Sequence, residues 1–146
     1  MFKPVPLVNG TILLAKDTSL AIDTVISYAG AMAFPPATIG GNPRFTTFIN
    51  VWGSDDNYNL MDIGPKNFPS QVKTINIEIE GAQHRDFWYD KDKYPDNLGK
   101  NEINRKTYEF MLLLSTAAQN QDQLNGLLSR FSQENGVYKI NPDLLP

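Results

Sequence analysis

Val72 to Glu80, VKTINIEIE, is the stretch that decides how this chain folds. Ile75, Ile77 and Ile79 alternate with Asn76, Glu78 and Glu80, and a period of two predicts a strand with one buried face and one acidic face. Gly81 ends it. Downstream the period changes: from Asn101, which can cap a first turn, Ile103, Thr107, Phe110, Met111, Leu114, Ala117 and Ala118 fall on one helical face. The run from Phe110 to Leu114 widens that stripe, so the helix is expected to be nearly engulfed. Beyond the polar Gln119 to Asp122, a second stripe of Leu124, Leu127, Leu128 and Phe131 predicts either a helical hairpin or one kinked helix. Asn135-Gly136 reads as a helix stop, and Val137 to Ile140 as a short edge strand.

Upstream of the isoleucine alternation the composition is β-rich. Val5 to Lys16 is expected to be extended, with a tight turn at Asn9-Gly10, and Leu20 to Tyr28 carries enough β-branched residues for another strand. Arg44 to Trp52, RFTTFINVW, is a third, closed by the loop residues Gly53 to Asn57, and Tyr58 to Ile63 could pair back as a hairpin arm. The predicted fold is α+β. A mostly antiparallel, β-rich part over about residues 5–80 is covered by a C-terminal helix or helical hairpin over about 102–134. A length of 146 residues suits one domain, spanning 1–146.

Between two of those strands lies an anomaly. Thr24 to Pro43, TVISYAGAMAFPPATIGGNP, has no charged residue and is interrupted by Gly30, Pro35-Pro36, Gly40-Gly41 and Pro43. It is too broken for a long helix or strand and too apolar to lie comfortably in water, so it must be covered by its own domain or by another chain. Tyr28, Met32, Phe34, Pro35, Pro36 and Ile39 are its candidate interface residues.

Composition limits the function classes. The formal net charge is −3, which argues against strong nucleic-acid binding. Six of the thirteen Lys and Arg residues fall between Arg85 and Lys106, but five acidic residues interleave with them, as on a solvated surface. Without cysteine there is no disulfide framework and no thiol nucleophile. No apolar run has the length of a signal peptide or a membrane span, so a soluble protein is expected, cytoplasmic or virion-associated.

No motif identifies a chemistry. His84 is the only histidine, and Glu78, Glu80 and Asp86 could orient its imidazole; with Trp88 these form a candidate pocket at the end of the isoleucine strand. His84-Arg85-Asp86 matches a kinase catalytic-loop tripeptide, but the other kinase signatures are missing. Asp86, Asp90, Asp92 and Asp96 are spaced like calcium ligands, yet Pro95 stands where an EF-hand needs glycine. Ile39 to Arg44 lacks the spacing of a phosphate-binding loop. Catalytic residues, cofactors and metals are therefore not expected. The expected function is a non-enzymatic structural or assembly subunit, such as a minor capsid, decoration or neck component of a phage or virus particle. Its partners would be other protein subunits, either the same chain or a larger assembly, with no membrane contact. The alternatives are a small enzyme or ligand-binding domain built on the Glu78, Glu80, His84 and Asp86 region, and a host-directed inhibitor or immunity-type protein.

Overall fold

A computed structural model describes residues 23–29, 46–57, 64–68, 72–87 and 98–145, the side chains of 98–101 excepted. Strands β1 (Thr24–Tyr28), β2 (Thr47–Gly53) and β3 (Lys73–Ile79) are followed by a 3-10 turn at His84–Phe87 and two helices, α1 (Leu98–Ala117) and α2 (Gln121–Leu128). Strands β4 (Ser132–Glu134) and β5 (Val137–Ile140) and a final 3-10 turn, Pro142–Leu144, complete the order. The layout is α+β, a five-stranded sheet with the helices on the C-terminal side of the sequence. The expected strands at Val5 to Lys16 and Tyr58 to Ile63 lie outside the described residues.

The strands do not pair as expected. Among the described strands the sheet order is β1-β2-β3-β5-β4; the pairs β1–β2, β2–β3 and β3–β5 are all parallel, and only β4 runs antiparallel to β5. Connections 29–46 and 54–72 each exceed the dozen or so residues that a parallel crossover requires. Val137–Ile140 is also not an edge strand, because it is paired to β3 on one side and β4 on the other. Asn135-Gly136 makes the tight turn of that β4–β5 hairpin rather than stopping a helix. Both residues have positive φ, 54° and 79°, which suits an Asn-Gly pair between two strands.

Parallel pairing explains the burial. Every residue of β2 is buried, as expected of a central strand covered on both faces, whereas β3 alternates between buried isoleucines and partly covered polar residues. On one face Ile49, Val51, Ile75, Ile77, Ile79 and Ile140 pack with Phe110 and Leu114 of α1 and Leu124, Leu127 and Leu128 of α2. The opposite face is covered by residues 64–68. Asn50 and Asn76, in register on β2 and β3, bond to each other, and Asn50 Nδ2 also donates to the Gly64 carbonyl. Asn76 both donates to the Lys66 carbonyl and accepts its N–H, at 2.9 and 2.8 Å. Phe68 stacks at a tilt on Phe48, with ring centroids 4.5 Å apart.

The helical region is two helices, not one kinked helix. Asn120 sits in extended conformation between them, and its side chain accepts the N–H groups of Asp122 and Gln123, satisfying two of the donors that a helix start leaves open. Asn101 lies inside α1, which begins at Leu98, and so is not its cap.

Candidate functional site

Parallel pairing sends the ends of β2 and β3 to the same edge of the sheet, the edge at which open parallel sheets usually hold their ligands. The close approach of the two ends depends on Gly53. A Cβ built there would lie 2.0 Å from the carbonyl oxygen of Ala82, so only glycine lets the segment after β3 fold against the end of β2. The segments are then tied together. Ser54 N–H donates to Ile79 O, Asp55 N–H to Ala82 O, and Gly81 N–H to Ser54 Oγ, all within 2.8–3.0 Å.

This arrangement brings Asp56 to His84. Asp56 Oδ2 lies 2.9 Å from His84 Nδ1, with the carboxylate side chain fully buried and the imidazole 23% exposed. A buried carboxylate fixes the orientation of the ring it bonds, which is how an imidazole is readied for proton exchange. Two residues on, Asp86 turns back on its own loop, and its Oδ2 accepts the Gln83 N–H at 2.7 Å. Burial pushes the Asp86 carboxyl above the usual aspartate range; the Gln83 N–H, Arg85 and Asn104 oppose the shift and Asp55 adds to it. From α1, Asn104 Nδ2 donates to the Asp86 main-chain carbonyl at 3.2 Å.

The other expected pocket residues go elsewhere. Glu78 belongs to the opposite face, where its two oxygens accept from Lys139 Nζ at 2.7 Å and from Trp52 Nε1 at 3.1 Å. Hydrogen bonding to Glu78 raises the Lys139 ammonium above its ordinary range. Glu80 is exposed and contributes its N–H to the Ile140 carbonyl. Trp88 lies outside the described residues. The residue that does orient His84, Asp56, stands in a Gly-Ser-Asp-Asp-Asn run that reads as an ordinary loop closure. Among the described residues no group of three or more His, Asp or Glu side chains is arranged to hold a metal ion.

Of the candidate interface residues only Tyr28 is described. It faces α1, its hydroxyl donating to the Met111 carbonyl at 2.9 Å and sharing a hydrogen bond with Ser115. Burial, partly offset by Ser115, pushes its phenol up to about 12. Met32, Phe34, Pro35, Pro36 and Ile39 lie outside the described residues.

A second surface stands out on α1. Leu112 and Leu113 are 54% and 40% exposed, with Tyr108 at 36% one turn before Leu112. Leu144, in the turn that Asp143 brings to within 3.8 Å of Lys106, is 71% exposed. Arg105 bonds both Glu102 and Glu109 beside the leucines, so the charges of Glu102, Arg105, Lys106 and Glu109 cancel. No described helix is long and apolar enough to cross a membrane. No protein-family model, curated protein or solved structure matches this chain.

Proposed function

We propose that this protein is a non-enzymatic assembly subunit that works through contacts with further copies of itself, the outward face of α1 forming part of the contact. The observation that carries this reading is the pair Leu112 and Leu113, exposed on a helix whose opposite face already fills the core. Apolar side chains grouped on one exposed face are characteristic of contact surfaces. The self-cancelling charges beside them favour a second copy over a strongly charged partner, because a neutral rim meets its own image without repulsion. Three or four side chains fall short of the roughly 800 Å² per partner in a standard interface, so this face is one part of a wider contact. A component of a larger particle, such as a minor capsid, decoration or neck protein, is the setting that fits such a subunit.

Sedimentation velocity across a concentration series, on wild type and on the double variant L112E/L113E, tests this. Concentration-dependent association, weakened at least tenfold in the variant with its circular dichroism unchanged, is expected. A wild-type protein that stays monomeric at the highest concentration, or a variant that associates as well as wild type, refutes it.

A further inference from the structure

Two side-chain oxygens of α1 are enclosed by protein and bonded to none of it. Asn104 and Thr107, at 3% and 0% exposure, stand three residues apart in the helix. Among the described residues, their Oδ1 and Oγ1 are the enclosed side-chain atoms without a hydrogen-bond partner. Positions i and i+3 are neighbours on a helix surface, with Cβ atoms about 5–6 Å apart, so the two oxygens share one location. That location is the seam between α1 and the segment after β3. Asn104 Nδ2 donates across it to the Asp86 main-chain carbonyl at 3.2 Å, and a Cβ built on Gly81 would lie 3.5 Å from Ile103 Cδ1. The bond to Asp86 also fixes which way the amide points. A carbonyl only accepts, so the atom facing it is the nitrogen, and the oxygen is the end left over.

We propose that this seam is a binding site for one internal water molecule, which donates to Asn104 Oδ1 and is hydrogen-bonded to Thr107 Oγ1. An enclosed polar atom without a partner forfeits the bonds it made to solvent, and here two such atoms fall within one helical turn. Their chemistry suits water. Asn104 Oδ1 only accepts, Thr107 Oγ1 donates or accepts, and an internal water typically holds about three hydrogen bonds to buried groups of this kind. A metal cation fits less well, because both oxygens are neutral and the Asp86 carboxylate is turned to the Gln83 N–H. The water locks the Asn104 amide in the orientation that holds the Asp86 carbonyl, and with it the turn that carries His84.

Thr107→Val keeps the shape of the side chain and removes its hydroxyl, and the sign of the effect distinguishes a hydrated pair from an unpaired one. With the water bound, the variant deprives it of a partner and loosens the Asn104 amide, so the folding constant should fall about two- to tenfold. The Asn104 side-chain amide protons should exchange faster with solvent in the variant. A hydroxyl that was simply unpaired would be better replaced by a methyl group, and the folding constant would hold or rise. Wild type supplies a second measurement even where the variant fails to fold: a high-resolution crystal structure should show an ordered water within hydrogen-bond distance of both oxygens. A dry seam, a direct bond between Thr107 and Asn104, or a Thr107→Val protein at least as stable as wild type overturns the proposal.

Discussion

Replacing Gly53 with alanine adds one methyl group at the point where the two strand ends meet. The added Cβ would lie 2.0 Å from Ala82 O, 2.5 Å from its carbonyl carbon and 2.9 Å from its Cβ. None of these belongs to the far end of a flexible side chain, so the clash is relieved only by moving backbone. Ala82 is fully buried, its carbonyl accepts Asp55 N–H at 3.0 Å, and its own N–H reaches Ile79 O at 3.3 Å. Two backbone hydrogen bonds at about 0.5–1.5 kcal/mol each, plus about 1–3 kcal/mol for overpacking, give a loss of roughly 2–6 kcal/mol. With a urea dependence of about 1–3 kcal/mol per molar, the unfolding midpoint should fall by at least about 0.7 M. The amide resonances of residues 79–84 should shift, and the His84 ring with them, since this contact positions His84 on Asp56. Gly126→Ala is the matched control: nothing lies within 4 Å of its added Cβ in α2, so the same chemical change should gain up to about 1 kcal/mol there. If Gly53→Ala unfolds within about 0.3 M of wild type, the close approach does not hold the two segments together.

Tyr28→Phe should cost about 0.5–1.5 kcal/mol at neutral pH through the lost bonds to Met111 and Ser115. Because the folded phenol titrates at about 12 against 10 unfolded, wild type should lose stability as pH rises through 10 to 12, by up to about 2.7 kcal/mol, and the variant should escape that loss. Urea midpoints that run parallel for the two proteins across this range would contradict the assignment. Gly136→Ala meets no neighbouring atom but must hold φ at 79°, so its cost is conformational, about 1–2 kcal/mol. It should appear as faster amide exchange in β4 and β5, and unaltered exchange there would argue against the tight turn.

Legibility from sequence differed between elements for physical reasons. The isoleucine alternation of β3 and the stripes of α1 and α2 were readable because burial of one face imposes a period. Strand direction leaves no such trace. Val, Ile and Phe suit parallel and antiparallel ladders alike, so only connection length distinguishes them, and in the segment after Tyr28 that length is masked by a more conspicuous lack of charge. Asn-Gly suits a helix stop and a tight turn alike because it supports positive φ in either context, and the three-residue β4 has too few positions to display a period. The partner of His84 is hidden in the sequence for a related reason. Asp56 and His84 become neighbours only because β2 and β3 end at one edge, and a loop aspartate carries no local mark of that topology.

The placement of Val137–Ile140 inside the sheet bears on how the protein is made on the ribosome. Strands β1, β2 and β3 are synthesised first, but β3 faces an empty slot until β5 has left the exit tunnel, because both helices and β4 are encoded in between. Throughout that interval the backbone edge of β3 can pair with another nascent chain on the same message. Completion of the sheet thus waits on the last strand of the 24–140 span, and slow translation at any point between the emergence of β3 and that of β5 would prolong the exposure.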